Sequence, residues 1–336
     1  MKEVVTIVLV IIGALIGAGF ASGQELYSFF YSYGVMGLIG IIITCVLISF
    51  TLYKSLKIIY KNKIDNYNDF LKVFIKNKKV TKAINLIINI LLLVTFYIMI
   101  AGFGAYFEQE IGVSKIIGSC VLAVMSAIVF FTSVKGVLKV SEFIVPVLII
   151  FIIIIGGINL ITINSEIENP VIKKGWLLSS ASYASFNMIL LIPAIIPLRK
   201  QITKETNIKY IAIISGILMI IMSVMIYMLL IKCDVDISSL EMPIVYIIRT
   251  FFTKFKPVYA FIILSSIFTT AISIGIGFLQ NVSKNKKSYA QFVLFMCITS
   301  LIVSNFGFSK LVNFVYPLFG YLGILQIFSI ITKKTN

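Results

Sequence analysis

A glycine-rich segment near the N-terminus, residues 12–25, carries the residue types best suited to binding a ligand. Four glycines fall within eleven residues, 13–23, and Gln24 and Glu25 follow at once. Each glycine costs an α-helix about 1 kcal/mol relative to alanine, so this segment is a poor continuous helix. A break would expose carbonyl groups, which suit a cation, and amide groups, which suit an anion. The pattern therefore predicts a helix that opens around a ligand.

The composition places this segment in a membrane protein. Of the 336 residues, 60% are hydrophobic and only 12% are charged, which leaves too few polar residues to cover a soluble chain. Apolar runs of about 18 or more residues recur along the chain, and each can cross a bilayer as a helix. The net charge of +16 is spread over alternate loops, which is typical of membrane topology. We therefore expect the lipid bilayer, and no nucleic acid, as a partner.

The sequence lacks the residues that several classes of chemistry require. The chain has no histidine, and none of its four cysteines forms a C-x-x-C pair, so neither a zinc site nor a disulfide framework is predicted. The nucleotide-binding motif G-x-x-x-x-G-K-[ST] is also absent from the sequence. Because no nucleophile is paired with a base, we do not expect an enzyme, and any uphill transport would draw on an ion gradient or a partner ATPase.

Ten membrane spans are predicted, and the first and the sixth are interrupted. A shorter apolar segment, 237–255, is punctuated by Pro243 and is expected to form an external hairpin or helix. The predicted spans are 4–30, 34–52, 83–107, 116–132, 143–163, 176–198, 208–231, 258–280, 289–304 and 311–331.

The basic residues predict the orientation of these spans. With the N-terminus inside, the inner segments hold 21 of the 29 lysines and arginines, which is the bias expected of cytoplasmic loops. The sequence thus predicts a multi-pass protein of the cell membrane with both termini in the cytoplasm. Because the interruption of the first span recurs in the sixth, we predict two five-helix repeats of opposite topology, 1–165 and 166–336, within one transmembrane domain.

Glu25 allows two interpretations. Ser22 and Glu25 have the spacing of a capping box, in which Ser22 would restart the helix after the break. A glutamate at membrane depth also indicates a functional site, where it would bind a substrate ammonium group or a proton. The glycines themselves have G-x-x-x-G spacing, which also occurs where helices pack closely.

Two later spans carry hydroxyl groups. The sixth has a serine-rich run, 179–187, followed by Pro193 and Pro197, and we predict a second helix break near 180–185. The eighth has four hydroxyl residues within 265–270, and hard cations favour hydroxyl and carbonyl oxygens.

The motif over residues 17–25, G-A-G-F-A-S-G-Q-E, resembles the first helix of the YkvI-like bacterial membrane proteins. That family is similar to the amino acid–polyamine–organocation superfamily, whose members share the LeuT fold. The resemblance covers the whole chain by its pattern of spans and is specific over about ten residues. It implies an all-α fold of about ten helices in a 5+5 inverted repeat, with helices 1 and 6 broken and the substrate held at the breaks.

The resemblance also implies the residues of two sites. A sodium site would use the carbonyl groups of the first span before the G-x-G and the oxygens of the eighth span, and the fifth span has no lysine that would replace sodium there. Relatives also place a tyrosine from the third span over the substrate. The predicted sodium ligands are Gly13, Ile16, Ser266, Thr269 and Thr270, and the predicted substrate residues are Gly17, Ala18, Gly19, Ser22, Gln24, Glu25, Tyr97, Ser182, Tyr183 and Asn187.

These observations favour a sodium-coupled symporter for an amino acid or a similar small zwitterion, with sodium as its coupling ion and no other cofactor. One alternative is a proton-coupled carrier that uses Glu25. Another is a nutrient sensor of the same fold that binds its ligand without transporting it. The sequence leaves the substrate, the direction of transport and the oligomeric state open.

Overall fold

The first predicted span folds as three short helices in a computed structural model, which describes residues 2–75, 77–132, 135–162 and 174–333. They are α1 (Lys2–Leu15), α2 (Ala18–Ala21) and α3 (Gln24–Phe29). The interruption predicted between Gly17 and Ser22 is therefore confirmed. It consists of two separate breaks with one helical turn between them.

All regular structure in the described residues is helical. The remaining helices are α4 (Val35–Lys61), α5 (Tyr67–Lys72), α6 (Lys78–Tyr106), α7 (Lys115–Phe131), α8 (Lys135–Thr162), α9 (Trp176–Ile195), α10 (Glu205–Ile231), α11 (Pro243–Phe251), α12 (Lys256–Val282), α13 (Lys286–Ser304) and α14 (Phe308–Thr332). Eight helices of the described chain are long and apolar enough to cross a membrane, and α1 and α7 are shorter apolar helices. Each of the ten predicted spans falls on one of these ten helices, the first of them continuing through α2 and α3.

The segment 237–255, which was predicted to form an external hairpin or helix, contains a short helix. Helix α11 begins at Pro243, where the missing N–H of proline costs nothing because the first turn has no helical acceptor. Short 3₁₀ turns flank it at Ile237–Ser239 and Thr253–Phe255. The helix packs against α10 and α12, and its face toward them is buried.

The contacts between helices show a repeat of five spans. If each span is replaced by the one five places later, with the tenth followed by the first, a helix pair in contact becomes another pair in contact. Helix α1 packs against α10 and α8, and its counterpart α9 packs against α4 and α14. Likewise α6 packs against α14, and its counterpart α12 packs against α8. This exchange symmetry is that of a 5+5 repeat. The predicted boundary between the halves, at 165 and 166, lies outside the described residues, so the division at that point stays a prediction.

The sixth span differs from its prediction, because α9 runs unbroken from Trp176 to Ile195. The break expected near 180–185 is wrong. The serines there do not replace lost backbone bonds; Ser180 and Ser185 donate to carbonyl groups one turn earlier, at 2.8 and 2.7 Å. This segment has no glycine, so it lacks the residue that favours the breaks of the first span.

Close contact between α9 and α14 depends on glycines of α14. A side chain at Gly320 would meet the Ser182 carbonyl carbon at 2.9 Å, and one at Gly323 would meet the Ser185 carbonyl oxygen at 2.9 Å. Small residues let helix backbones approach closely inside a membrane, where dispersion contacts and hydrogen bonds drive association. The continuous α9 is thus held against α14 along its serine-rich face.

Replacing Gly320 with alanine should destabilise the protein by about 1–3 kcal/mol, because the added methyl group forces α9 and α14 apart. The measurement is the free energy of unfolding in detergent micelles. Gly157→Ala in α8 is the matched control, since nothing lies within 4 Å of a side chain at that position. Equal stability of the two variants would contradict the tight α9–α14 contact.

Candidate functional site

The first break leaves backbone carbonyl groups without helical partners. Helix α1 ends at Leu15, and Gly17 has an extended backbone with φ −90° and ψ −173°. The amide of Ile16 still donates to Ile12, at 2.8 Å, but no described residue donates a hydrogen bond to the carbonyls of Gly13 or Ile16. The two carbonyls predicted to bind sodium are therefore available as ligands.

The second break turns on Gly23. This residue has φ +82°, a left-handed conformation that side chains other than glycine rarely adopt. A side chain there would also lie 2.6 Å from Ile244 of α11. The turn thus needs glycine both for its backbone angle and for the approach of α11.

The predicted capping box does not form. Gly23, not Ser22, precedes α3, and no side chain caps that helix. The hydroxyl of Ser22 donates to the Gly19 carbonyl at 3.0 Å and accepts from the Gln24 amide at 3.3 Å. This prediction is wrong because the Glu25 carboxylate is drawn away from Ser22 by partners on another helix.

Two other elements bind the carbonyls at the second break. The Ile244 amide donates to the Ser22 carbonyl at 2.9 Å, and the Tyr259 hydroxyl of α12 donates to the Ala21 carbonyl. Both contacts supply donors that the opened helix no longer provides. Neither Tyr259 nor Ile244 was predicted as a site residue, since neither stands out from the apolar run around it.

Glu25 is a buried carboxylate, only 4% exposed, on the inner face of α3. It accepts a hydrogen bond from the Tyr183 hydroxyl of α9 at 2.7 Å, and the Phe20 amide also interacts with it. A side chain at Gly19 would overlap the carboxylate, which explains the glycine there. The Phe29 ring lies 4.9 Å from that of Tyr183, between ring centroids. The structure therefore brings Gly19, Glu25 and Tyr183 together, as predicted.

No cation neutralises this carboxylate among the described residues. Every ion pair of the described chain lies elsewhere, and none includes Glu25. An uncompensated carboxylate is costly in a membrane, so such a residue indicates a place where a cation or a proton binds.

Gln24 connects the break to α14. Its Nε2 donates to Asn313 Oδ1 at 3.3 Å, while its buried Oε1 has no hydrogen-bond partner among the described residues. Tyr316, on the next turn of α14, is buried against Phe186 with ring centroids 4.1 Å apart and faces the same interior. No site residue was predicted on the tenth span, although an asparagine within its apolar run was a usable signal.

The other predicted substrate residues have partners of their own. Ala18 is buried, Ser182 donates to the Pro317 carbonyl at 3.2 Å, and Asn187 donates to the Tyr183 carbonyl at 3.0 Å. Tyr97 hydrogen-bonds Thr299 of α13 at 2.6 Å. Its hydroxyl thus faces the α13 side of α6, and the structure does not bring it to the break.

The eighth span lies against the first break. The methyl carbon of Thr270 is 4.0 Å from the Cβ position of Gly17, and α12 packs on α2. Thr269 donates to the Ser266 carbonyl at 3.2 Å, so these two predicted ligands are neighbours. That they join Gly13 and Ile16 around one ion stays a prediction.

The N-terminal end of the first span is also held by hydrogen bonds. The Glu3 carboxylate accepts hydrogen bonds from the Thr203 amide at 2.9 Å and the Thr203 hydroxyl at 2.7 Å. Arg199 and Asp65 form an ion pair at 2.5 Å in the same loop region. The broken span is therefore fastened at one end by these loops and at its breaks by α11 and α12.

Comparisons with known proteins agree with this architecture. The uncharacterized membrane protein YkvI of Bacillus subtilis (strain 168) is 30% identical over 336 residues, which cover 97% of this chain and 94% of that protein. No protein-family model matches the chain.

Two solved structures share the fold. Mhp1 in its inward-facing conformation superposes with a TM-score of 0.63 and 10% identity, covering 96% of this chain and 73% of that one. A Na⁺-coupled sialic acid symporter, in a substrate-bound outward-open state, gives a TM-score of 0.55 and 13% identity, covering 98% and 78%. The all-α, LeuT-like fold expected from the first-span motif is thus confirmed, although α9 is unbroken.

The contact between Glu25 and Tyr183 should appear as a coupling energy of about 1.5–3 kcal/mol, the range for hydrogen bonds to charged groups. The measurement is a double-mutant cycle of Glu25→Ala and Tyr183→Phe on the free energy of unfolding. Tyr97→Phe provides the control, because its hydroxyl contacts a different helix and its effect should add to that of Glu25→Ala within about 0.5 kcal/mol. Additive effects of Glu25→Ala and Tyr183→Phe would contradict this site.

Proposed function

The chain belongs to the family of the YkvI membrane protein, and we propose that it is a sodium-coupled secondary transporter of a small amine-bearing solute, such as an amino acid. Its place would be the cell membrane, with both termini in the cytoplasm. The fold shared with a Na⁺-coupled symporter supports this class of activity, and the chemistry of the break supports the cargo and the ion.

The observation that carries the proposal is an excess of hydrogen-bond acceptors at the break. The Gly13 and Ile16 carbonyls, the Gln24 Oε1 atom and the Glu25 carboxylate converge on one opened helix, and no basic side chain of the described residues pairs with them. A site of this kind, closed off from bulk water, favours cations. An ammonium group and a sodium ion are the two cations that the proposal places there.

Sodium is proposed for the carbonyl side of the break. Thr269, Thr270 and the Ser266 carbonyl lie on α12, which packs on α2 beside Gly17. Carbonyl and hydroxyl oxygens without a carboxylate suit a monovalent cation better than calcium or magnesium, which favour charged ligands. Such a neutral site binds weakly, so its occupancy would follow the ion gradient.

The ammonium group is proposed for the carboxylate side. Glu25 accepts one hydrogen bond from Tyr183 and has further lone pairs, and the Gly19 position leaves it room. An ammonium group has three donors, so it can satisfy the carboxylate and Gln24 Oε1 together. The contacts that fasten the broken span, Ser22 with Ile244 at one end and Glu3 with Thr203 at the other, would open in turn as the solute passes.

A proton-coupled carrier is the second candidate, and the burial of Glu25 favours it. A carboxylate that is 4% exposed, without a cation, can be neutralised by a proton instead of by the solute. In that case the carbonyls of the first break would serve packing alone, and sodium would have no effect.

Ligand binding should be tighter in sodium than in choline by roughly 5- to 150-fold, the usual range of a coupling of about 1–3 kcal/mol. Thr269→Ala/Thr270→Ala should abolish most of this difference, because it removes two of the five proposed ligands. The measurement is a thermal-shift screen against amino acids and amines, followed by binding titrations in each salt.

Thr299→Ala is the matched control, since that hydroxyl lies on α13 and contacts Tyr97. It should leave the sodium response unchanged. Wild-type binding that ignores sodium and varies with pH, with a midpoint that Glu25→Gln removes, would refute sodium coupling and establish the proton-coupled carrier.

Reconstituted protein should also exchange external labelled solute for internal unlabelled solute. Carriers cycle their site between the two faces of the membrane, so counterflow is expected at a rate that Glu25→Gln lowers about tenfold or more. Binding without any counterflow would assign the chain to the class of sensors.

A further inference from the structure

A line of polar side chains leads from the break to the surface of the bundle along the contact of α3 with α14. Gln24 is 1% exposed, and its Nε2 reaches Asn313, which is itself exposed. Asn313 is the sixth residue of α14, about 8 Å along the axis from its first residue. The hydrogen bond between the two amides thus joins the buried Gln24 to an exposed residue of α14.

The exposed amide of Asn313 needs polar surroundings. The adjacent Phe314 is 72% exposed, as a ring in contact with lipid would be, whereas an amide in hydrocarbon would leave its hydrogen bonds unmade. Asn313 lies at the edge of the buried stripe of α14, beside α3. Its Oδ1 faces Gln24, so its remaining polar atoms need water or a solute.

The charges along this line favour cations. At the start of α14, Glu241 accepts a hydrogen bond from the Ser309 amide at 2.6 Å, and Lys310 is exposed nearby. These two opposite charges roughly balance at the outer end of the line, near Asn313. Deeper in, Glu25 follows Gln24 on α3 and has no cationic partner among the described residues. The unpaired charge at the inner end of this line is therefore negative, which favours cations over anions.

We propose that Asn313 and Gln24 form the entrance of the solute site on the α11 side of the membrane, and that this entrance selects protonated amines over anions. The buried Gln24 Oε1, which lacks a partner among the described residues, accepts a hydrogen bond from the entering ammonium group. The inference rests on the proposed function in taking Glu25 as the end of the route. It adds the tenth span to the site and excludes solutes that are net anions.

The test is the rate at which a cysteine at position 313 reacts with impermeant thiol reagents of opposite charge. Asn313→Cys is made with Cys120 and Cys233, the two half-buried native cysteines, replaced by serine. The protein is placed in lipid nanodiscs, where both membrane faces are open to reagent, at pH 8. A quaternary-ammonium and a sulfonate methanethiosulfonate are compared. Phe314→Cys is the control that faces lipid.

We expect Asn313→Cys to react readily and Phe314→Cys to react at least tenfold more slowly. The ratio of the cationic to the anionic rate should fall roughly tenfold when Glu25→Gln is added, because the substitution removes the negative charge at the inner end of the line. Because each reagent is compared with itself, its intrinsic reactivity cancels. Ser309→Cys, one turn earlier on the same face, repeats the measurement if Asn313→Cys fails to fold.

Failure of this inference can be told from failure of the proposed function. Slow reaction at position 313, or a charge ratio that Glu25→Gln leaves unchanged, overturns the entrance even if the protein transports amines. A charge-selective reaction in a protein that shows no counterflow supports the entrance and refutes transport instead.

Discussion

The structure depends on one constraint: a helix that opens inside an apolar bundle must find new partners for its backbone groups. Water cannot supply them in the bilayer interior, so other helices do. Here α11 donates to Ser22, α12 donates to Ala21, and the hydroxyl of Ser22 bonds back to Gly19. The carbonyls before the first break have no such donors among the described residues. This difference separates the part of the break that is built into the fold from the part that is free to bind an ion.

The same constraint explains why only one of the two equivalent helices opens. The first span has glycines where its helix must turn, including Gly23 in a left-handed conformation. The sixth span has serines in place of glycines, their hydroxyl groups bond to carbonyls of the same helix and of α14, and its helix runs unbroken from Trp176 to Ile195. The 5+5 repeat therefore preserves the packing of the helices while the local chemistry of the two halves differs. The asymmetry puts the acceptors on the first span and the phenol of Tyr183 on the sixth.

Glu25 supplies the negative charge of this site. A carboxylate buried among Tyr183, Phe29 and backbone amides is expensive to keep charged, and the surrounding rings offer no counter-ion. A bound ammonium group or a proton would remove that cost, and ligand binding would then stabilise the closed bundle. Transport and stability are thus expected to be linked through one side chain.

The sequence by itself determined the class of the protein, the pattern of its apolar helices and the place of the first break. Apolar run length, loop charge and clustered glycines each reflect a local requirement of the bilayer or of the helix, so they can be read without a fold. The partners of the site residues were decided only by the tertiary structure. Tyr183 meets Glu25 across 158 positions of sequence, and Gln24 meets Asn313 across 289. Two wrong predictions have the same origin: Glu25 bonds Tyr183 and does not complete the capping box, and Tyr97 bonds Thr299, because contacts between distant helices outweighed the local pattern.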